Sequence, residues 1–218
     1  MATLEEMARE KFLALSEAEE KVVRAAPNGT TADCSDPGGG SDPGKADGTP
    51  EAPAEKWPET RNVRADLIRW LCIDREAREL VDPRGLQIQG ARITDELDLS
   101  FTNILFPVGM FGCRLVQPLS LQWAKMPLLS LAGSWTGAIG ADGLKLEGSL
   151  FLRDGFHADG EVRLLGAYRG RSYCGRRNIR KFERRRPERR PRQGGGQRLS
   201  EERIPGRRHG AAARRDHR

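Results

Sequence analysis

The residue types that could carry chemistry are few and poorly grouped. His157 stands between Asp154 and Asp159, a spacing that could be drawn as an acid–base group or a metal ligand set. No second His or Cys sits at ligand spacing, so His157 is expected to be a solvent-facing turn residue. Asp95, Glu96 and Asp98 offer paired carboxylates, but they alternate with Leu97 and Leu99, which points them outward onto a solvated face. Cys113 follows Gly112 at a small-residue position and Cys72 lies in an apolar helical stripe, so both read as packing groups rather than nucleophiles. The Gly137-Ala-Ile-Gly140 run lacks the spacing and the following helix that a phosphate-cradling loop requires. No Ser/His/Asp or P-loop pattern is present. No catalytic, cofactor-binding or metal-ligating residue is assigned, and the expectation is a chain that is not an enzyme and carries no cofactor.

The elements available to position these groups change along the chain. It has 218 residues, 37% hydrophobic, 31% charged and 6% aromatic, with a mean hydropathy of −0.63, enough for one modest core with chain to spare. No apolar run is long enough to span a bilayer, and the acidic start Met1-Ala-Thr-Leu-Glu-Glu6 lacks the basic and apolar regions of a secretion signal. A cytoplasmic location is therefore expected. The four cysteines, at 34, 72, 113 and 174, fit neither a zinc pair nor a disulfide framework and read as free thiols.

Thr3-Leu-Glu-Glu6 and Ser16-Glu-Ala-Glu19 both have capping-box spacing, predicting helices over 4–14 and 17–25. Residues 1–26 thus form N-terminal helices. The Pro- and Gly-rich stretch over 27–61 cannot bury enough apolar area to offset chain entropy and reads as a linker or loop. Asn62 is placed to cap a helix with Leu67, Ile68, Trp70 and Leu71 on one face, and Asp74 to cap a second, giving a helical cap over 62–85.

From Leu86 the period becomes two. Apolar pairs recur as Leu86/Ile88, Leu97/Leu99, Val108/Met110, Leu119/Leu121, Leu129/Leu131, Ile139/Ala141, Leu150/Leu152 and Val162/Leu164, their first members 10 to 12 residues apart. Each pair puts two side chains on one face of a short strand. Small residues follow at Gly90-Ala91, Gly112-Cys113, Ala124 and Gly133-Ser134, where the backbone must turn, and then Ile93, Ile104, Leu115 and Met126. Self-similarity at so short a period marks a solenoid, each coil two rungs long, over residues 86–168. An antiparallel meander or small sandwich is the alternative, and Asp142-Gly, Asp154-Gly and Asp159-Gly are turn signals that would suit it.

The run VRADLIRWLCIDREARELVDPRGLQIQGARITDELDLS at 63–100, with GADGLKLEGSLFLRDGFHADGEVRLLGA at 140–167, resembles a family of bacterial pentapeptide-repeat-like proteins of unknown function. The resemblance extends to LSEAEEKVVRAAPNGTTADC at 15–34. It implies a mainly β chain, a right-handed quadrilateral β-helix solenoid with an N-terminal α-helical cap. Some members are labelled membrane-associated oxidoreductase, an alternative function that no residue of this chain supports. Pentapeptide-repeat proteins that imitate DNA do so with a negatively charged coil, which makes a DNA-handling protein one conceivable partner. The favoured reading is a non-enzymatic scaffold that binds a protein partner through its solenoid faces.

The last 50 residues are different in kind. Residues 169–218 hold 19 basic and 5 acidic side chains, whereas residues 1–168 hold 18 basic and 26 acidic, so the overall charge of +6 describes neither part. Such a segment is expected to be a disordered Arg-rich tail that binds polyanions non-specifically, and nucleic-acid binding through it is the second alternative. Tyr173 and Phe182 are too few aromatics for a base-stacking platform. Arg with Gly, Pro and Ala is also what GC-rich coding sequence yields out of register. When the first base of each codon is dropped, residues 197–215 permit NVFLRNGFRADGTVRLLGA, which coincides at 14 of 19 positions with SLFLRDGFHADGEVRLLGA at 149–167. The tail is therefore expected to be a frameshifted continuation of the repeats, and the last coil, lacking a cap, to favour end-to-end self-association.

Overall fold

A computed structural model describes residues 2–35 and 57–167, together with the backbone of a strand at Ser172–Cys174. The chain falls into one compact unit, Met1–Arg185, and a second, Arg186–Arg218, that lies outside the described residues, as do most of the expected disordered tail and the middle of the 27–61 segment.

The unit is a parallel β-solenoid of about four turns with a helical cap. Its strands are β1 (Thr31–Asp33), β2 (Asn62–Val63), β3 (Leu86–Gln89), β4 (Arg92–Ile93), β5 (Leu97–Asp98), β6 (Val108–Phe111), β7 (Arg114–Leu115) and β8 (Leu119–Ser120). They continue as β9 (Lys125–Met126), β10 (Leu129–Ser130), β11 (Trp135–Thr136), β12 (Ile139–Gly140), β13 (Lys145–Leu146), β14 (Leu150–Leu152), β15 (His157–Ala158), β16 (Val162–Arg163) and β17 (Ser172–Cys174). Parallel pairing sorts them into four walls: β1-β3-β6-β10-β14-β17, β2-β4-β7-β11-β15, β5-β8-β12-β16 and β9-β13. Leu86 pairs with Val108, Val108 with Leu129 and Leu129 with Leu150, each partner 21 or 22 residues on. The apolar pairs seen in sequence supply the first and third walls. Ile93 and Leu115 line the second and Ile104 and Met126 the fourth, all buried. Parallel pairing throughout excludes the antiparallel alternative.

Alternation fills the interior. Ile88, Met110, Leu131 and Leu152 form one column and Leu97, Leu119, Ile139 and Val162 the opposite one, every member buried. Each such side chain removed from water stabilises the stack by about 1.5–3 kcal/mol.

The corners between walls are equally regular. Between the first and second walls Gly90, Gly112 and Gly133 have positive φ, and Asp154 continues the column at +56°. Between the third and fourth the same position is taken by Phe101 (+58°), Trp123 (+56°), Gly143 and Gly166. The turn is held by bonds to the next coil: the Phe101 amide donates to the Gln122 carbonyl at 2.8 Å and the Trp123 amide to that of Asp142 at 2.8 Å. A left-handed conformation costs a residue with a Cβ about 1–2 kcal/mol, and Phe101 recovers little by burial, being 76% exposed. Phe101→Gly is therefore expected to raise stability by about 1 kcal/mol, after glycine's own entropy cost is subtracted. Thermal denaturation reads this directly, and a lower melting temperature would show that the ring packs.

The cap comprises α1 (Leu4–Phe12), α2 (Glu17–Ala25), α3 (Ala65–Ile73) and α4 (Arg75–Glu79). Both expected capping boxes form, Thr3 with Glu6 and Ser16 with Glu19, and the Asp74 side chain caps α4. α3 packs on β5, closing the third wall, and buries Leu67, Ile68, Trp70, Leu71 and Cys72. Between α2 and α3 the Glu19 carboxylate, 2% exposed, receives Arg64 through Nε at 2.7 Å and Nη2 at 2.7 Å, and through the Arg64 amide at 2.9 Å.

Three boundaries differ from the sequence reading. Asn62 does not cap a helix; with Val63 it pairs with Arg92–Ile93, and α3 begins three residues later behind Arg64. The second wall offered Asn62 an edge to pair with, which outweighed a capping bond. Within the expected linker, Thr31–Asp33 pairs with Gln87–Gln89 and buries Ala32, so coil structure starts well before residue 86. At the far end Ser172–Cys174 pairs with Leu150–Leu152, 22 residues on, extending the first wall into the segment read as disordered.

Candidate functional site

The solenoid's outer surface is built by the residues between the inward-facing ones. On the second wall these are Asn62, Arg92, Arg114, Trp135 and His157, brought into one vertical line by register: Asn62 opposite Arg92, Arg92 opposite Arg114, Arg114 opposite Trp135, and Trp135 opposite His157. All five side chains end in planar groups, and Arg114, Trp135 and His157 stack. The His157 ring lies on Trp135 with centroids 4.2 Å apart and planes inclined by 26°. On the other side of Trp135 the Arg114 guanidinium sits 4.9 Å from the ring centroid. Arg92 donates through Nη1 to the Asn62 amide oxygen at 3.4 Å, while its Nε is buried without a partner. Asp159 closes the lower end, 2.8 Å from His157 Nε2 and 3.7 Å from Arg114 Nη2.

His157 is therefore not a solvent-facing turn residue. It lies on β15 with a side chain only 17% exposed, because Ala158 takes the inward position and alternation turns His157 onto the Trp135 face. Of its two sequence neighbours it meets Asp159; Asp154 sits at a corner and pairs with Arg153 at 3.2 Å. Asp95, Glu96 and Asp98 face outward as expected, each with its own partner. Thr94 donates to Asp95 at 2.7 Å, Ser120 to Glu96 at 2.8 Å, and Arg69 reaches Asp98 at 3.8 Å. Partial burial alone would raise the Asp98 carboxyl, but hydrogen bonds from Ser100 and the charge of Arg69 hold it below its ordinary value. Gly137 lies on the turn from β11 into β12 and Gly140 on β12 itself, with no helix to follow. Among the described residues no group of three or more His, Cys, Asp and Glu side chains could hold a metal ion.

Compared with family models, curated proteins and solved structures, the chain matches none. The surface must be read from its own geometry.

Three thiols among the described residues face inward. Cys34, Cys72 and Cys113 are free and buried, and burial pushes each up to about 12, far from the thiolate range in which a cysteine is nucleophilic. Cys113 Sγ donates to the Ile88 and Phe111 carbonyls, both at 3.5 Å. All three are expected to resist a maleimide at pH 7 in the native chain and to react on unfolding, as peptide-level mass spectrometry would show. Rapid native labelling of Cys113 would reopen a chemical role for it.

The planar column has a signal in the sequence. Residues 92, 114, 135 and 157 recur at the coil period, but they share neither hydrophobicity nor charge, only a flat end group.

Proposed function

We propose that this chain is a non-enzymatic binding scaffold that presents its outer walls to a protein partner. What supports this reading is the division of the molecule: continuous apolar columns fill the inside of the coil, and the polar and aromatic side chains stand in ordered lines outside it. A stacked, ordered surface costs little entropy to engage, which favours recognition. In the same reading the chain is a truncated or frameshifted member of the pentapeptide-repeat-like proteins it resembles, and it works in the cytoplasm. No helix among the described residues is long and apolar enough to cross a membrane.

The test is turnover. Purified full-length chain supplied with flavin or nicotinamide and an artificial electron acceptor is expected to stay at background. Sustained redox turnover overturns the scaffold reading in favour of the oxidoreductase label. The frame is settled separately by the nucleotide sequence across codons 165–218, where the +1 frame is expected to continue the repeats.

Among the described residues the second, third and fourth walls end at β15, β16 and β13, each strand paired on one side only. Exposed strand edges template pairing, so end-to-end self-association is part of the proposal. Sedimentation equilibrium should show a concentration-dependent dimer; a monomer at all concentrations counts against it.

A further inference from the structure

The second wall contains an arrangement that folding alone does not call for. Arg92 and Arg114 stand directly opposite each other on adjacent parallel strands, a separation of about 4.8 Å at which like charges repel. Elsewhere on the outer surface Arg163 meets Asp142 at 2.8 Å and Arg69 meets Asp98 at 3.8 Å, and Lys125 opposite Lys145 on the fourth wall is a like pair of point-charge ammonium groups rather than of planar forks. Here the carboxylate in reach is Asp159, 3.7 Å from Arg114 and shared with His157. Over 86–168 the coil carries 8 acidic and 6 basic residues, so the two arginines concentrate positive charge on a nearly neutral surface. Immediately below the arginines, Trp135 and His157 form a stacked flat surface whose parts are held at both ends.

We infer that this stripe, Arg92, Arg114, Trp135 and His157, is the docking line for an extended acidic segment of a protein partner. The inference rests on the scaffold reading and specifies its partner. Two carboxylates along the segment would pair with the arginines, in the planar fork geometry that suits guanidinium to carboxylate. An apolar or aromatic side chain following them would lie on the Trp135–His157 surface; Arg and Trp are the residue types that carry most energy at interfaces. The rest of the outer surface mixes both signs, so the two guanidinium forks beside a flat ring, rather than net charge, fix the position of the segment.

The experiment is amide hydrogen exchange on the full-length chain titrated with hexaglutamate, because exchange reports location and the Arg-rich tail also attracts polyanions. Protection is expected on β4, β7, β11 and β15. In the R92Q/R114Q double variant the midpoint of that protection should rise about tenfold or more, equivalent to roughly 1.4 kcal/mol. The R92K/R114K variant should fall between the two, and R163Q, on the third wall, should match the parent. Protection confined to the tail, or unchanged in R92Q/R114Q, overturns the proposal. So does displacement of the peptide from this wall by single-stranded oligothymidylate at equal charge, which would assign the stripe to nucleic acid. Failure by any of these routes leaves the scaffold reading standing, whereas redox turnover removes that reading whatever the peptide does.

Discussion

Leu131→Asp is expected to abolish cooperative folding of the solenoid. Leu131 is fully buried in the column between Met110 and Leu152, and its amide is bonded to the Phe151 carbonyl of the next coil at 2.9 Å. A carboxylate there has no cationic partner and no route to solvent, and an unpaired buried charge costs more than a small domain's whole stability of about 5–15 kcal/mol can absorb. Leu131→Ala removes the packing without adding charge and should cost about 2–5 kcal/mol. Because each coil contacts only its neighbours, the damage has a direction. The coils beneath the helical cap keep their partners, whereas β14 and β15 lose the layer they rest on. Chemical denaturation of the two variants, with hydrogen exchange resolved by coil, checks both statements. An aspartate variant that melts like the parent would mean that Leu131 does not face the interior.

The second large effect concerns the joint between cap and coil. Arg64→Ala is expected to destabilise the chain by about 3–5 kcal/mol, because it leaves the Glu19 carboxylate buried after its guanidinium partner has gone. Arg64 also donates to the Ala14 carbonyl at 2.7 Å and lies over the Phe12 ring, so the cap loses a clasp as well as an ion pair. Adding Glu19→Gln to the variant should restore part of the loss by removing the stranded charge, and a double-mutant cycle measures the coupling. Burial by itself would raise the Glu19 carboxyl, but the hydrogen bonds from the Arg64 side chain and amide and from the Ser16 amide outweigh it, and the net shift is downward from 4.5. A group depressed in the folded state adds stability that is present above its unfolded value and is lost as pH falls through the folded one. The parent should therefore weaken on acidification below about pH 4.5, and E19Q should lose less over the same interval. Equal acid sensitivity in the two would remove Glu19 from the account.

The interior of this protein was largely legible before its structure, and for a specific reason. Pairs such as Leu119/Leu121 repeat both in type and in spacing, so burial and period point to the same conclusion. The capping boxes at Thr3 and Ser16 were legible because two residues must agree at fixed distance. β1 was not, since Thr31-Ala-Asp33 buries a single small side chain and stands among turn-forming residues. β17 was hidden by the charge around it, and Asn62 by a capping preference that pairing displaced. The candidate surface was harder still. Outward residues are free to differ from coil to coil, so His157 gave no sign of Trp135 until register set one above the other.

The first coil carries one more consequence. Gln87 and Arg92, on the first and second walls, are 5 residues apart, whereas their partners one layer up, Thr31 and Asn62, are 31 apart. The surplus enters at a single corner and returns to the same layer, so its two ends are already held at the spacing that every other coil bridges with a short turn. Closing a longer excursion adds only a slowly growing entropic cost. That corner is a natural splice point: foreign sequence could be exchanged there, or the excursion trimmed to a turn, while the layers below keep their contacts.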